Sequence, residues 1–575
     1  MDKEIFLNEF GHLAQGPDGI KNLRDLILQL AVQGKLVEQD SNDEPASVLL
    51  EKVESDIQVA LKEKTIRKNR LFDVEDSQFK DYIPESWLTL TVSQIVNVFN
   101  GNSVSASDKK SKYTNVTEGY NYIATKDVDF KSHQIDYNNG IKIPFETPKF
   151  KIAPKGAVLI CAEGGSAGKK LTITDENICF GNKLYASVPI TSAIDNRFLF
   201  YVYKSPLFIF QFQEAMTGII GGISQTSFLA LSVPLPPLAE QKHIAAKVDE
   251  LMALCDELEA SQEAHKSLKK DCVASSLHHL SETSENEEIK SNWSIAEGNF
   301  NSWFDDLETV KNLRATILQL AVQGKLVEQD PNDEPAILLK QKAEIELAAL
   351  VSEKKVRVQK GISPFNEEGW PASKSLNSIW CKYGEISAIS SGVTKGRKLE
   401  GRKLITVPYL RVANVQRGWI DITVLKEIEI PADELDKFAL MKGDVLQVEG
   451  GDWDKVGRAV VWENPVAPCV HQNHIFKSRP LGGIIPKYVE LFMNSPMTMQ
   501  YFQSCSKQTT NLASINKTQL SNTPFLLPPL EEQKRIVAKV DELMALCDQL
   551  ESQIQSSDDL NKDLMASLVH HMSAA

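Results

Sequence analysis

The chain has 575 residues, of which 42% are apolar and 24% are charged, as in ordinary folded proteins. This length is too great for one hydrophobic core, so three or four domain-sized units are expected. No apolar run reaches the roughly 18–20 residues that span a bilayer, and the start Met1-Asp2-Lys3-Glu4 has no apolar signal segment, so a cytoplasmic protein is predicted.

The net charge of −14 is unevenly distributed along the chain. Residues 81–233 carry 14 basic and 13 acidic side chains, and residues 371–526 carry 19 and 14, which gives net charges of +1 and +5. The remainder of the chain therefore holds a net charge of −20. An acidic total consequently does not exclude binding of a polyanion such as DNA by these two segments.

Residues 1–80 are predicted to form a helical arm. Apolar residues recur at helical spacing from Leu23 to Leu30, and Gly34 is expected to cap the helix at its C-terminus. Residues 21–46 return as residues 311–336 with only three of 26 positions changed. Repetition at this level indicates a duplicated architecture.

Residues 81–234, the first variable domain, differ in character from this arm. Short β-rich runs such as residues 156–161 alternate with turn residues, and a helical stretch is expected at 196–213, which predicts an α+β domain. Residues 164–170 resemble a phosphate loop, but three residues separate the glycines where four are required. A β-turn is the favoured interpretation, and a loop that contacts DNA phosphates is the alternative.

Residues 235–280 are predicted to form the next arm. Its apolar residues from Ile244 to Leu258 step by four and three, which is the seam spacing of a coiled coil. Residues 235–259 return as residues 527–551 with four of 25 positions changed. A helix over most of this arm would be about 60 Å long, comparable with two DNA turns of ~34 Å each.

The order of segments then repeats. A polar stretch at 281–300 is predicted to be a linker, and it is followed by a helical arm at 301–370. The second variable domain is expected at 371–526 and a C-terminal helical arm at 527–575.

Short echoes connect the two variable domains. Lys155-Gly156-Ala157-Val158-Leu159 matches Lys442-Gly443-Asp444-Val445-Leu446, and Glu163-Gly164-Gly165 matches Glu449-Gly450-Gly451. Tyr122-Ile123 likewise matches Tyr409-Leu410. The chain is therefore predicted to be a tandem pseudo-two-fold repeat of one α+β fold with different surfaces, carried on long coiled-coil-like helical arms.

This layout is that of a two-fold dimer whose halves are free to differ, and it suits a two-part, asymmetric DNA site. Loop lysines and arginines could bind phosphates, whereas arginine, glutamine and asparagine could pair with base edges. Solvated loops and polar turns are the alternative interpretation of these positions. The candidate DNA-binding residues are Lys109, Lys110, Lys112, Lys169, Lys170, Gln225, Lys395, Arg397, Lys398, Arg402, Lys403, Lys455, Arg458, Lys507, Gln508 and Asn511.

The sequence shows no complete catalytic motif. The tetrapeptides NPPY and DPPY of adenine methyltransferases are absent, so no catalytic residue is predicted. The eight cysteines are scattered without a CxxC pair, and His471 and His474 have no third ligand at a typical spacing. No metal site is therefore predicted, and polar packing is the favoured interpretation of the two histidines.

The starts of the later arms carry a recognisable motif. Pro236-Pro237-Leu238-Ala239-Glu240-Gln241 and Pro528-Pro529-Leu530-Glu531-Glu532-Gln533 resemble the arm motif of type I restriction–modification specificity subunits. The doubled LQLAVQGKLVEQD block resembles the long-armed, type IB-like branch of that family. The resemblance covers essentially the whole chain.

The resemblance implies that each variable domain recognises one part of a bipartite DNA site and that the chain itself is not an enzyme. It also implies two modification subunits that use S-adenosylmethionine, and restriction subunits that use ATP and Mg²⁺, with no cofactor bound by this chain. The candidate arm-interface residues are Leu30, Gln33, Lys35, Leu238, Gln241, Ile244, Val248, Leu251, Leu320, Gln323, Lys325, Leu530, Gln533, Ile536, Val540 and Leu543.

Two other functions remain open from the sequence. A helical scaffold without DNA binding would also explain the arms, although it gives little reason for only the domains between them to diverge. A self-contained nuclease or methyltransferase is the weaker alternative, because it would need a catalytic motif.

Overall fold

The computed structural model describes residues 14, 16, 18–63, 79, 82–218, 221–282, 286–366, 377–453, 455–508 and 513–574. Contacts divide the chain into two units, Met1–His265 with Ser557–Ala575, and Lys266–Ser556. Among the residues that the structure describes, no helix is both long enough and apolar enough to span a membrane. Each unit contains one variable domain together with arm helices.

The first unit begins with arm helices and continues into the first variable domain. Its helices are α1 (Gly19–Val32), α2 (Ala46–Lys62), α3 (Val92–Ile95), α4 (Ala106–Asp108), α5 (Asn196–Lys204), α6 (Pro206–Glu214), α7 (Gln225–Leu229) and most of α8 (Leu238–Glu282). Its strands are β1 (Leu88–Thr91), β2 (Val96–Asn100), β3 (Tyr120–Ile123), β4 (Lys142–Ile143), β5 (Ile152–Ala153), β6 (Val158–Cys161), β7 (Leu171–Ile173), β8 (Ile178–Phe180), β9 (Leu184–Pro189) and β10 (Ser232–Leu235).

The second unit repeats this plan. Its helices are the end of α8, α9 (Asn286–Gly298), α10 (Phe300–Trp303), α11 (Leu307–Val322), α12 (Ala336–Ser352), α13 (Leu435–Phe438), α14 (Pro486–Met493), α15 (Pro496–Cys505), α16 (Lys517–Ser521) and most of α17 (Leu530–Ala574). Its strands are β11 (Ile379–Lys382), β12 (Ser387–Ser391), β13 (Leu404–Leu410), β14 (Lys426–Pro431), β15 (Val445–Val448), β16 (Gly450–Gly451), β17 (Ala459–Val461), β18 (Val470–His471), β19 (Ile475–Pro480), β20 (Lys507–Gln508), β21 (Ala513–Ser514) and β22 (Pro524–Leu527).

The two variable domains have the same sheet topology. A four-stranded antiparallel sheet has the order β2-β9-β6-β7 in the first domain and β12-β19-β15-β17 in the second. A second sheet contains the parallel pair β3–β8 or β13–β18. A shared α+β fold, predicted from short sequence echoes, is therefore confirmed.

The strand register defines which residues of the two domains correspond. Val158 pairs with Ser187 as Val445 pairs with Ser478, which confirms the match around Val158 and Val445. The next match is displaced by one residue, because the N–H of Ala162 donates to Lys183 as that of Glu449 donates to His474. Glu449 therefore corresponds to Ala162, and the predicted pairing of Glu163 with Glu449 was wrong by one position.

Each variable domain closes on itself before the next arm begins. β1 pairs with β10 and β11 with β22, both antiparallel, from Leu88↔Leu235 and Ile379↔Leu527. The chain therefore enters and leaves each domain at the same end of a strand pair. The predicted helix at 196–213 forms as α5 and α6, which are separated at Ser205, the N-cap of α6.

Glycine caps the C-terminus of α1 in the first unit and of its repeat α11 in the second, as predicted. Gly34 has φ +73° and Gly324 has φ +69°, a region that side chains with a Cβ rarely adopt. The N–H of the following Lys35 or Lys325 donates to the carbonyl of Leu30 or Leu320 at 3.0 Å, which is the bond that closes a Schellman cap.

The long arm helices form over almost the whole of the predicted ranges 235–280 and 527–575. α8 and α17 contain 45 residues each, or roughly 67 Å at 1.5 Å per residue. The polar stretch predicted as a linker at 281–300 is helical over Asn286–Gly298. Polar composition lowers burial but does not prevent helix formation, since glutamate and lysine are good helix formers.

Candidate nucleic-acid interface

Antiparallel pairing brings several loops to one edge of each four-stranded sheet. In the first domain β2 ends at Asn100, which pairs with Tyr185, and β6 ends at Cys161, which pairs with Leu184. The loops after β2 and β6 therefore meet the loop before β9. We call this the loop edge: residues 101–103, 162–170 and 181–183 in the first domain, and 392–395, 449–458 and 472–474 in the second.

A glycine at the start of the loop edge is required by close approach of the backbone. A Cβ on Gly101 would lie 2.0 Å from the carbonyl oxygen of Phe180, and one on Gly392 would lie 2.1 Å from that of His471. Because no side chain fits there, the strand end and the neighbouring turn are held together in both domains. The close packing at this edge is thus common to both variable domains.

Further predicted loops join this edge. In the first domain Gly164 donates to the carbonyl of Gly221 at 2.8 Å, which brings residues 221–224 against the loop after β6. In the second domain β16 pairs with β21, which pairs with β20. Segments far apart in the sequence therefore meet at this edge in both domains.

The predicted turn at 164–170 forms, and its two lysines differ in surroundings. Ala167 donates to the carbonyl of Gly164 at 2.9 Å within the turn. Lys169 is exposed. Lys170 is partly buried, and its Nζ donates to the carbonyl of Thr125 at 3.0 Å. Lys169 is thus the member of the pair that is presented to solvent.

The basic turn at Lys109–Tyr113 lies on the second sheet of the first domain. Lys109 stacks over the ring of Tyr122, with Nζ 4.8 Å from its centre, and the Tyr122 hydroxyl donates to the carbonyl of Asn102 on the loop edge. Lys112 is paired with Asp108 at 2.8 Å, and Lys110 is exposed. The turn therefore borders the edge and presents Lys110 most openly.

Several candidates are used inside the fold, which the sequence did not reveal. The Gln225 Nε2 donates to the carbonyl of Val98 at 2.6 Å. Arg458 is only 7% exposed, and its guanidinium donates to Gln416 and to the carbonyl of Val412. Both side chains therefore bond within the domain, Gln225 while partly buried and Arg458 while buried, and their contact with DNA stays a prediction.

The basic loop at 395–403 separates into paired arginines and exposed lysines. Arg397 donates to Glu434 at 2.8 Å, and Arg402 bonds to both Asp433 and Glu434. These acids lie about 30 residues away in sequence, so composition alone could not show that the arginines are neutralised. The exposed members are Lys395, Lys398 and Lys403.

Lys455 lies on the loop edge of the second domain, and Lys507 and Gln508 lie on β20, which is joined to β16 of that edge through β21. Lys455 is exposed and forms an ion pair with Asp452, and Lys507 is exposed on β20. Gln508 pairs with Ala513 through its backbone. Asn511 falls outside the described residues, and its role stays a prediction.

The two histidines that suggested a metal have different surroundings. His471 is fully buried, its Nδ1 lies 3.0 Å from the carbonyl oxygen of Ile475, and burial lowers its pKa to about 3. His474 is exposed at the loop edge, with Nδ1 2.6 Å from Glu449. Among the described residues no group of three potential ligands surrounds a common point.

Sequence reasoning missed Arg411, which directly follows β13 and lies next to Gln472 of the loop edge. The echo of Tyr122-Ile123 in Tyr409-Leu410 was the signal that could have found it. That match aligns Arg411 with Ala124. The first position after the match therefore holds arginine in one domain and alanine in the other, a difference that the sequence shows.

Comparison with known proteins decides the family. Residues 84–266 and 380–557 match the type I restriction modification DNA specificity domain. The chain is 30% identical to the EcoAI specificity subunit of a type I restriction enzyme of Escherichia coli, over 94% of this chain and 91% of that subunit. The chain belongs to the type I restriction–modification specificity-subunit family. It supplies DNA sequence specificity and is not itself an enzyme.

Other relatives have similar names. The EcoEI specificity subunit of a type I restriction enzyme of Escherichia coli is 29% identical over 94% of this chain and 91% of its own length. A solved structure described as the structural basis of complex assembly and conformational transition of the type I R-M system aligns at 16% identity. It covers 85% of this chain and 98% of its own, with a TM-score of 0.45.

Each specificity domain matched in this way extends beyond the variable domain into the long helix. The matches end at residues 266 and 557, which are also the borders between the two units. The part of each long helix inside the match packs on its own unit. Ile244, Val248 and Leu251 are fully buried, as are Ile536 and Val540.

The predicted coiled-coil seam is therefore occupied from within each unit. Arg24 of α1 bonds to Asp256 and Glu259 of α8 at 2.6 and 2.7 Å. Arg314 of α11 repeats this with Asp548 and Glu551 of α17 at 2.5 and 3.0 Å. Helices α1 and α11 are thus each joined by ion pairs to the long helix that follows the variable domain of the same unit.

The glutamine of the arm motif is also structural. Gln241 accepts from the N–H of Asp195 at 2.8 Å and donates to the carbonyls of Ala193 and Pro236. Gln533 accepts from the N–H of Ile485 and donates to the carbonyl of Pro528. Both glutamines are fully buried and tie the start of the arm helix to the variable domain.

The other candidate arm-interface residues vary in exposure. Lys35 is exposed, whereas Leu30, Gln33 and Leu320 are buried. Partly exposed positions are Leu238, Gln323, Lys325, Leu530 and Leu543. A role in binding partner subunits stays a prediction for this set and is open, without rearrangement, only to the exposed and partly exposed members.

Proposed function

We propose that this specificity subunit reads a two-part, asymmetric DNA site, with one part contacted by the loop edge of each variable domain. The main support is that the two variable domains share one fold but carry different side chains on their loop edges. The first domain presents Lys169 and Lys183 there, and the second presents Lys395, Lys455 and His474. A conserved scaffold with a changed edge is what recognition of two unlike half-sites requires.

Charge supports the same assignment. The variable domains are neutral to basic while the rest of the chain is strongly acidic. DNA would therefore be repelled from the arms and attracted to the domains. The exposed lysines of the two edges would bind phosphates and set the register, while less common side chains on the edge would contact bases.

We further propose that the near-identical arms dock two copies of an adenine-methyltransferase subunit and that restriction subunits join this complex. S-adenosylmethionine, ATP and Mg²⁺ would be used by those partners, with none bound by this chain. The doubled arm sequence supports two equivalent docking surfaces, since 23 of 26 positions are the same in residues 21–46 and 311–336. The complex would act in the cytoplasm, where the DNA is accessible.

The test is base-modification sequencing of host DNA with and without this gene, the partner genes being left intact. Loss of one methylated two-part motif on deletion is expected. A helical scaffold that never binds DNA would leave the methylome unchanged, and the purified chain would then bind all duplexes equally weakly. That pair of results would overturn the proposal.

A further inference from the structure

Arg411 lies on a turn that contacts the loop edge of the second variable domain through Gln472. It follows the last residue of β13, and its own N–H donates to the Asn414 side chain at 2.9 Å. The carbonyl of the preceding Leu410 accepts from the N–H of Gln472, and the N–H of the following Val412 donates to the Gln472 side chain. The backbone on both sides of Arg411 is thus fixed by hydrogen bonds.

More contacts stiffen the same turn. Arg458 donates to the carbonyl of Val412 at 2.9 Å, and Gln416 donates to that of Ala413 at 2.7 Å. The Asn414 amide donates to the carbonyls of Asp421 and Val424. A side chain carried by so constrained a turn loses little backbone entropy when it binds a ligand.

The guanidinium of Arg411 differs from the other arginines of this domain. Those five bond to side chains of the domain: Arg397 to Glu434, Arg402 to Asp433, Arg417 to Asn494, Arg458 to Gln416 and Arg479 to Asp444. Arg411 is partly buried, and within the described residues its buried Nε has no hydrogen-bond partner and its charge has no ion pair. A partly desolvated, unpaired guanidinium is costly unless a ligand completes it.

The first variable domain provides an internal comparison. Its equivalent turn has the same cap, because the N–H of Ala124 donates to Asp127 at 2.8 Å, and Lys170 takes the place of Arg458 by donating to Thr125. Ala124 and Gly181 stand where the second domain has Arg411 and Gln472. The scaffold is kept while its two large polar side chains are absent.

We propose that Arg411 is a specificity-determining residue that reads one guanine in the half-site bound by the second variable domain. The planar guanidinium would donate two parallel hydrogen bonds to O6 and N7 of that guanine in the major groove. Gln472 is a positioning residue, because it holds the turn on both sides of Arg411. This inference rests on the proposed function, in which the loop edge faces DNA.

The experiment uses the purified full-length chain and duplexes that carry its two-part motif, with 7-deazaguanine replacing each guanine in turn. This base lacks the N7 acceptor. We expect one position in one half-site where the wild type loses affinity and where Arg411→Ala binds guanine and 7-deazaguanine equally. Arg411→Ala should also accept other bases there, with discrimination reduced roughly 5- to 150-fold.

Two further variants distinguish base recognition by Arg411 from a general effect of positive charge. Arg411→Lys keeps the charge but not the two-pronged geometry, so it should lose the discrimination while its salt dependence stays that of the wild type. Arg357→Ala removes an exposed arginine in the arm region and should change neither property. Unchanged thermal unfolding of each variant confirms that folding is retained.

The inference is overturned if Arg411→Ala keeps the wild-type motif, or if it weakens all sequences equally and flattens the salt slope, as a phosphate contact would. The proposed function fails separately, if the wild type itself shows no preference for any two-part site.

Discussion

At the residue scale, the second variable domain shows how similar side chains take different roles. Arg397 and Arg402 are neutralised by acids that sequence distance conceals, whereas Lys395, Lys398 and Lys403 in the same loop stay exposed. We therefore predict that the lysines, rather than the arginines, bind phosphates in this loop. The residue types were predictable from the sequence, but their availability depended on tertiary partners.

Replacement of Lys395, Lys398 and Lys403 by glutamine should weaken binding to all DNA sequences. Each lost phosphate contact releases one counterion fewer, so the slope of log K against log salt should flatten by about 0.9 per lysine. Equilibrium titrations at several salt concentrations measure this slope. A control variant with Lys311, Lys354 and Lys360 changed to glutamine alters the net charge equally, outside the variable domain. Equal slopes for the two variants would contradict the assignment.

Buried His471 predicts a stability effect of pH in the second variable domain. Burial lowers its pKa from 6.5 to about 3, so the unfolded state binds the proton first as pH falls through 6.5. This contribution to stability is complete above pH 6.5 and is lost progressively towards pH 3.

His471→Gln removes this titration, so the stability difference between wild type and variant should shrink by about 2 kcal/mol from pH 7.5 to pH 5. Hydrogen exchange of the β18 and β19 amides reports the local opening free energy. A difference that does not depend on pH would show that His471 is protonated in the folded domain.

At the element scale, the duplicated caps provide a matched pair. Gly34 and Gly324 both have positive φ, so alanine should cost about 1–2 kcal/mol at either position. Only at Gly34 would the new Cβ also meet Pro84, whose Cγ is 2.5 Å away, while at Gly324 the nearest atom is 3.5 Å away. Gly34→Ala should therefore be the more destabilising change, as measured by denaturant unfolding. Equal losses would mean that Pro84 moves aside freely.

The arm elements were predictable because their signals are local. Helical spacing, capping glycines and the repeated sequence blocks predict α1, α8, α11 and α17 from the sequence alone. The helices that pack against each apolar seam were not predictable. Periodicity shows which face of a helix is buried, but it does not show which element covers that face. The loop edge was likewise hidden, since it joins loops far apart in the sequence, such as residues 101–103 and 181–183.

At the scale of the whole molecule, repetition of one closed domain predicts modular specificity. Each variable domain has both connections on one strand pair, so its replacement should leave the arms undisturbed. Exchange of residues 81–234 for the variable domain of another specificity subunit should alter one half of the methylated motif and keep the other half. Methylome sequencing of the hybrid tests this, and changes in both halves would contradict independence.

The same strand pairs determine how a domain responds to mechanical force. Leu88 and Leu235 are connected to the arms at the same end of an antiparallel ladder, as are Ile379 and Leu527. A force that draws the two arm connections of a domain apart from each other therefore loads the ladder in an unzipping geometry, in which hydrogen bonds break one after another rather than together. The first pair to open would be Leu88 with Leu235 in the first domain and Ile379 with Leu527 in the second, because these pairs lie next to the arms.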